Sequence, residues 1–358
     1  MTPASAVLVR PLLCGYYGEH NIGDDALLQA LLGALPAEAK PCITAADQQQ
    51  VQQRFGVTTC DRRRLRSTLS ALADCDGLIL GGGSLLQDST SWRSLLYYAA
   101  LILTARLQRK PVILWAQGLG PLRRSRSRFL IGRLLPLVAA ASWRDRQSAA
   151  LAQQLAGASR AADPVGADPV WTLPPIHWRG RGGPIVLAWR SSSLLTEADW
   201  RVLLKALAEL AERNDRSVLW LPLHDAQDAG LLQRLQEQGL LPDALATRSR
   251  EIRLQRPEEL MAQASAAGLV VAMRLHGLIL AARAGAPVAA LSYDPKVEAA
   301  AAMAGIPCST LGALPDLDGL LEQWQSQVDQ PADPHRIDQI RSEADRHGRF
   351  LRQHLPQL

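Results

Sequence analysis

Short apolar runs alternate with longer helical patterns along this chain, and the alternation starts twice. The first series has apolar runs at residues 6–14, 77–80, 111–116 and 141–143. A segment rich in proline, glycine and arginine follows at residues 168–184, and a second series has runs at 185–189, 218–221, 269–272 and 288–291. Short buried strands separated by helices are typical of βαβ units with a parallel sheet. The sequence therefore predicts an α/β protein built from two Rossmann-like domains.

The length of the chain fits this division. Its 358 residues are more than a single hydrophobic core usually accommodates, and they suit two domains of roughly 150 residues each. We predict a first domain over residues 1–175, a second over 183–330, and a C-terminal helix over 331–358 that packs back on the first domain. The first domain is expected to form the acceptor side, which binds the acceptor substrate. Two such domains facing across a cleft correspond to the GT-B type of glycosyltransferase.

The composition narrows the class of protein and its ligands. Hydrophobic residues make up 47% of the chain and charged residues 20%, which is typical of a folded soluble protein and excludes a disordered or fibrous one. The net charge of +5 favours anionic ligands such as phosphates, carboxylates or lipid headgroups. So mild an excess does not indicate nucleic acid, and we expect none as a partner.

The sequence also predicts where in the cell the protein is located. The longest apolar runs, residues 95–105 and 129–143, are shorter than the ~20 residues that span a bilayer, and the N-terminus fits no signal peptide. The five cysteines include no CxxC pair, so we expect reduced thiols and no metal site. These features predict a cytoplasmic protein. Its oligomeric state has no signature in the sequence.

The first motif follows the first predicted strand, at residues 15–25. Its glycines allow tight turns, and Asp24 can cap the next helix, whose free N–H groups attract anions or sugar hydroxyls. Asn21, Gly23 and Asp24 are therefore candidate substrate-binding residues. The alternative is a structural turn with a capping aspartate.

The second motif is a run of three glycines and a serine at residues 81–84, again after a buried strand. Consecutive glycines suit neither helix nor strand, so they indicate unusual φ values or a close approach to the backbone. Gly82 and Gly83 are candidates for a substrate loop, with a structural turn as an equal alternative.

The third motif, residues 143–146, lies at a strand-to-helix junction. The guanidinium of Arg144 can hold a carboxylate or phosphate there. A salt bridge to Asp145 is the ordinary alternative.

The fourth motif is the most specific. Arg274 and His276 end a strongly apolar strand, and in an extended segment they would project to the same side. An arginine beside a histidine suits an anionic substrate that needs proton transfer near neutral pH. We therefore predict that these two residues are functional.

Three further residues of the second domain are weaker candidates. Lys296 follows the strand at residues 288–291, whereas Arg190 and His224 close two other strands of the second domain. A solvated lysine in a loop is an equally good interpretation of Lys296. The histidines of the linker and the C-terminal helix are predicted to be surface residues.

Five arginines, at residues 123, 124, 126, 128 and 133, form a separate basic run. Such a run is usually a solvated helix face. The functional alternative is peripheral docking on anionic lipid at the cytoplasmic face of the inner membrane.

Taken in order, these motifs resemble the polysaccharide pyruvyl transferase family, in particular its CsaB-like branch. The matching segments span nearly the whole chain and lie at residues 15–26, 81–88, 117–121, 144–145, 167–169, 274–277 and 292–297. The resemblance implies a GT-B-like fold, phosphoenolpyruvate as co-substrate and no cofactor. The implied product is a 4,6-linked pyruvyl ketal on a sugar of a cell-surface or extracellular glycan, or of its lipid-linked precursor.

The resemblance also assigns roles to individual positions. It places phosphoenolpyruvate binding on Arg144, Arg274 and Lys296. Ketal formation begins with proton delivery to the methylene carbon, and we assign that step to His276. Two alternatives differ in class. One is a GT-B glycosyltransferase that uses a nucleotide sugar, and the other is a glycan-binding protein without activity.

Overall fold

The computed structural model describes residues 9–89 and 91–355. The chain divides into two compact units. The first holds the described residues up to 19, residues 27–172 and those from 341 onwards, and the second holds residues 20–26 and 173–340. Part of the predicted first strand, residues 6–8, lies outside the described residues.

The first unit contains a six-stranded parallel sheet in the order β3-β2-β1-β4-β5-β6. Its strands are β1 (Pro11–Tyr17), β2 (Cys42–Ala45), β3 (Thr58–Asp61), β4 (Gly77–Leu86), β5 (Val112–Leu119) and β6 (Ala140–Trp143). Its helices are α1 (Ile22–Ala34), α2 (Gln48–Phe55), α3 (Leu65–Ala73), α4 (Trp92–Leu107), α5 (Ser125–Leu134) and α6 (Arg146–Ala156). The first five residues of α1 are grouped with the second unit.

The second unit contains another six-stranded parallel sheet, ordered β12-β11-β10-β7-β8-β9. Its strands are β7 (Ile185–Ala188), β8 (Val218–Trp220), β9 (Ser249–Glu251), β10 (Leu269–Ala272), β11 (Val288–Ser292) and β12 (Cys308–Thr310). Its helices are α7 (Glu197–Arg213), α8 (Asp225–Asp228), α9 (Leu231–Glu237), α10 (Asp243–Ala246), α11 (Pro257–Ser265), α12 (Leu275–Arg283), α13 (Pro295–Ala304) and α14 (Leu317–Gln325). The last helix, α15 (Pro334–His354), begins in this unit and ends in the first.

Numbered within its own unit, each sheet has the strand order 3-2-1-4-5-6 of the dinucleotide-binding fold. The order reverses between β1 and β4 in the first unit and between β7 and β10 in the second. Ligands of such sheets bind at this reversal, beyond the carboxyl ends of the strands. The α/β prediction with two Rossmann-like units is therefore confirmed, and the fold of each unit indicates where a ligand binds.

Several predicted strands have different bounds in the structure. β4 does not end before the glycine run but continues through it to Leu86, with a shift of register after Gly83. Gly82 and Gly83 have φ values of 48° and 77°, which lie in the left-handed region that favours glycine. β5 likewise extends to Leu119, three residues beyond the predicted apolar run.

One predicted surface residue is buried. His347 of α15 is 1% exposed. Its Nδ1 lies 3.0 Å from Ser142 Oγ, and its Nε2 lies 3.0 Å from the carbonyl oxygen of Ala167. The prediction failed because the apolar face of α15 includes this position between Ala344 and Leu351, which are both fully buried.

The cysteines and apolar helices give two further findings. All five cysteines are free, and Cys14, Cys60 and Cys75 are buried. In the part of the chain that the structure describes, no helix is both long and apolar enough to cross a membrane.

Candidate active site

The arginine–histidine motif lies where the strand order of the second unit reverses. Arg274 is the residue before α12, with φ −86° and ψ 129°, and His276 lies in the first turn of the helix. The two residues therefore do not share an extended segment, and the prediction of strand-like alternation was wrong. The helix begins at Leu275, so only Arg274 of the two keeps extended geometry.

Arg274 forms a buried ion pair with Asp228, the last residue of α8. Its Nε donates to Asp228 Oδ2 at 3.0 Å, and its Nη2 contacts Oδ1 of the same carboxylate. Nη2 also donates to Gln227 Oε1 at 3.1 Å. Because a two-pronged contact of this kind fixes the plane of the guanidinium, Asp228 determines how Arg274 is presented.

The carboxylate of Asp228 also organises the backbone. Oδ2 accepts hydrogen bonds from the backbone N–H groups of Leu223 and His224, at 3.2 and 3.0 Å. Asp228 is only 1% exposed. A buried carboxylate needs such partners, since an unpaired charge in the interior is costly. Sequence reasoning did not identify Asp228 as a site residue.

The start of α1 is attached to this region of the second unit. The backbone N–H of Ile22 donates to the Leu223 carbonyl at 2.9 Å, and Asn21 pairs with His224 in an isolated antiparallel bridge. Asn21 Oδ1 accepts from the Gly23 N–H at 3.0 Å, which caps the helix, and its Nδ2 donates to Asp24 at 2.5 Å. Asn21 therefore lies beside His224 and caps α1, whereas Asp24, the predicted cap, lies in the first turn of the helix.

Gly23 also contacts the motif at the start of α12. A Cβ atom added to Gly23 would lie 2.2 Å from Nδ1 of His276. The imidazole therefore packs directly on the backbone of the first turn of α1. The structure thus brings together Asn21, Gly23, His224, Arg274 and His276, which the sequence offered as separate candidates.

Arg190 and Lys296 follow the strands on either side of β10. Arg190 Nη1 lies 3.4 Å from the hydroxyl of Tyr293, and its guanidinium stacks over the Tyr293 ring at 5.0 Å. Lys296 is in the first turn of α13, where its backbone N–H donates to Asp294 Oδ1 at 3.0 Å. Both residues are partly exposed near the carboxyl ends of the strands.

In the first unit, the glycine run packs against α1. Added Cβ atoms at Gly82 and Gly83 would lie 3.0 and 3.6 Å from the side chain of Leu27, and one at Gly81 would lie 2.6 Å from Tyr17 Oη. The Tyr17 hydroxyl donates to the Gly81 carbonyl at 3.2 Å. The close packing of the helix thus accounts for glycine at position 81.

Arg144 belongs to the first unit and is 7% exposed. Its Nη2 donates to Ser84 Oγ at 3.2 Å, while Nη1 and Nε lie 3.6 Å from carboxylate oxygens of Asp168 and Asp145. Gly118 leaves room for this arrangement, since a Cβ there would lie 2.5 Å from Nη2. The ordinary alternative for Arg144, a salt bridge to Asp145, is therefore present, together with a second carboxylate that sequence reasoning did not assign.

Among the described residues, no group of three or more His, Cys, Asp and Glu side chains is arranged to hold a metal ion.

Solved structures share this architecture. UDP-GlcNAc 2-epimerase from Neisseria meningitidis, bound to UDP-GlcNAc, gives a TM-score of 0.61 at 13% identity and covers 98% of this chain and 100% of its own. The same enzyme from Methanocaldococcus jannaschii gives 0.62 at 11% identity, with 97% and 100% covered. MurG from Acinetobacter baumannii gives 0.51 at 12% identity, with 97% and 99% covered. At these identities the likeness concerns the fold alone.

Two parallel sheets of Rossmann order, each with polar motifs at its reversal point, define a GT-B-like fold. The family model for polysaccharide pyruvyl transferases matches residues 21–295, which covers most of the chain and every candidate site residue except Lys296. The chain belongs to the polysaccharide pyruvyl transferase family. No curated protein sequence matches it.

Proposed function

We propose that this protein transfers the pyruvyl group of phosphoenolpyruvate to a sugar of a cell-surface or extracellular glycan, or of its lipid-linked precursor. The product is a 4,6-ketal, and phosphate is released. The observation that carries the proposal is the placement of both Arg274 and His276 at the start of α12, in a chain that belongs to the pyruvyl transferase family.

Phosphoenolpyruvate carries a phosphate and a carboxylate, so its binding site requires fixed cations. Arg274 meets this requirement because Asp228 holds its guanidinium in one plane and its side chain stays 14% exposed. We assign the further positive charge that phosphoenolpyruvate requires to Arg144 and Lys296. The N-terminus of α12 adds positive potential beside Arg274.

The reaction requires a group that donates a proton to the methylene carbon and then takes up a proton from a sugar hydroxyl. His276 delivers a proton to the methylene carbon of phosphoenolpyruvate, which leaves C2 cationic, and one sugar hydroxyl adds to C2. The C2–O bond to phosphate then breaks, and the second hydroxyl closes the ring. One hydroxyl proton replaces the one that His276 gave to the new methyl group, and the other leaves with phosphate.

The direct test measures phosphate release from phosphoenolpyruvate by the purified chain, with and without a panel of lipid-linked and chromogenic sugar acceptors. We expect acceptor-dependent release that falls by a factor of about 10² to 10⁴ in His276→Ala, while phosphoenolpyruvate binding is kept. His335→Ala is the matched control, because His335 is exposed on α15. Full activity of His276→Ala would overturn the assignment of the acid.

The nucleotide-sugar alternative predicts different results. Protection against thermal unfolding by UDP or GDP sugars, with no response to phosphoenolpyruvate, would reject pyruvyl transfer. A titration of phosphoenolpyruvate binding accompanies the activity assay, so that a missing acceptor is distinguished from a missing donor site.

A further inference from the structure

Helices α4 and α5 of the first unit pack together and carry exposed apolar side chains among arginines. On α4, Leu96, Leu103 and Leu107 are 43%, 44% and 84% exposed, and on α5 Phe129 is 67% exposed. These are half of the large hydrophobic residues that the described chain exposes. Single exposed leucines are ordinary, but a group on two neighbouring helices indicates an interaction surface.

The spacing of these residues places them on one stripe of each helix. Leu96, Leu103 and Leu107 lie seven and four residues apart, and Arg126, Phe129 and Arg133 are separated by three and four. Residues at such intervals share one face of an α-helix. We call the surface formed by these six residues the α4–α5 face.

One contact between an arginine and an aromatic ring joins the two helices, and a second lies within α5. The guanidinium of Arg126 lies 4.5 Å from the centroid of the Trp92 ring, at the start of α4, and that of Arg133 lies 5.1 Å from the Phe129 ring. Stacked arginines keep their charge at the rim while their stems cover apolar surface. The α4–α5 face thus combines an apolar stripe on α4 with two arginines and a phenylalanine on α5.

The charge of this part of the chain is one-sided. From residue 92 to residue 134 the sequence contains nine arginines and lysines and neither aspartate nor glutamate. A second copy of the α4–α5 face would therefore be repelled by the first. The partner that complements both properties is a surface with negative headgroups over an apolar layer.

We propose that the α4–α5 face docks on the surface of a bilayer that contains anionic lipids. Arg126 and Arg133 contact the headgroups, while Phe129 and the three leucines enter the boundary between headgroups and acyl chains. The proposal does not depend on the pyruvyl transferase activity, because its test measures binding alone.

The test is co-sedimentation of the full chain with vesicles of phosphatidylcholine, either alone or with about one third phosphatidylglycerol. We expect binding only to the anionic vesicles, and weaker binding as salt is raised. Arg126→Gln with Arg133→Gln should lower the partition coefficient about fivefold for each arginine removed. Phe129→Ser should lower it by a similar factor at unchanged salt dependence.

Matched controls lie on the second unit. Arg201 and Arg213 are exposed on α7, each beside a glutamate one turn earlier, so their double change to Gln removes the same charge elsewhere. Leu194, which is 48% exposed, gives the apolar control Leu194→Ser. Both controls should bind the vesicles as the wild type does.

Three outcomes would overturn the proposal. Equal binding of the wild type and the α4–α5 variants to anionic vesicles would place the contact elsewhere. A dimer in sedimentation velocity that Phe129→Ser dissociates would make the face an interface between copies of the chain. Arginine-dependent binding of an oligonucleotide, without vesicle binding, would identify nucleic acid as the partner.

Discussion

The imidazole of His276 fills the space that a side chain at residue 23 would occupy, since a Cβ there would lie 2.2 Å from Nδ1. Gly23 is in the first turn of α1, and His276 is in the first turn of α12. Two helix N-termini thus meet at one histidine. The position of the ring is therefore set by a residue more than 250 positions away in the sequence.

Gly23→Ala should displace the imidazole of His276 and lower activity with little loss of stability. The side chain can rotate away from the added methyl group, so the fold survives while the proton donor moves. We expect phosphate release to fall by a factor of about 10 to 10³, which is less than the full contribution of an acid catalyst because the imidazole is displaced and not removed. Gly33→Ala is the control in the same helix, because an added Cβ there meets no atom within 4 Å. Equal activity of the two variants would contradict the role of Gly23.

Asp228→Asn should weaken phosphoenolpyruvate binding through Arg274. The amide has one acceptor oxygen, and its NH2 group only donates, so it cannot both accept the backbone N–H groups of Leu223 and His224 and receive both contacts from the guanidinium. We expect KM for phosphoenolpyruvate to rise about tenfold or more, and the free energy of unfolding to fall by about 3 kcal/mol.

The control for Asp228 is Glu197→Gln, which removes an exposed pair with Arg201 and should change stability by less than about 0.5 kcal/mol. A purely structural role for Asp228 would lower the unfolding midpoint and leave KM unchanged. Steady-state kinetics at a temperature well below both midpoints separates these results.

Most of the strands that sequence predicted differ in burial from those that it missed, although β2 was missed with three of its four residues buried. β1, β4, β5, β7 and β10 are apolar runs buried on both faces, which periodicity detects. β3, β9 and β12 are edge strands of three or four residues, and each is partly exposed and polar, so their sequences resemble loops. Their existence depends on the neighbouring strand.

Site residues could be predicted where their neighbours in the sequence identify them, but not where only a distant residue does. Arg274 and His276 could be predicted because a cation and an imidazole follow a buried strand. Asp228 could not, since it lies 46 residues earlier in a polar segment and meets Arg274 only in the folded unit. His347 could have been recognised from the spacing of Ile340, Ala344 and Leu351, which places it on the apolar face of α15.

Arg144→Lys should weaken donor binding although it preserves the charge. The guanidinium uses three different nitrogens to reach Ser84, Asp145 and Asp168, and a lysine ammonium cannot reproduce that geometry. We expect the dissociation constant for phosphoenolpyruvate to rise about tenfold, measured by calorimetric titration. Arg146→Lys, two residues along and exposed, is the control and should bind as the wild type does. Unchanged affinity in Arg144→Lys would remove this residue from the donor site.

The stability of the first unit should decrease as the pH falls from neutral. Burial lowers the pKa of His347 from its ordinary value of 6.5 to about 4, against the opposing effects of the Ala167 carbonyl and Asp168. Nε2 donates to that carbonyl and Nδ1 faces the Ser142 hydroxyl, which fixes the neutral ring. Because the unfolded chain takes up its proton first, the contribution of His347 is complete above pH 6.5 and is lost between pH 6.5 and pH 4. The loss at the lower limit is about 3 kcal/mol.

Urea unfolding at several pH values in this window measures the effect against His347→Gln, whose side chain does not titrate. The variant should be less stable than the wild type at neutral pH, because the glutamine cannot reproduce both buried hydrogen bonds. Its free energy of unfolding should fall less steeply with pH, so that the two curves converge near pH 4. His335→Gln, on an exposed position of the same helix, should keep the slope of the wild type. Parallel curves for the wild type and His347→Gln would show that other groups cause the acid sensitivity.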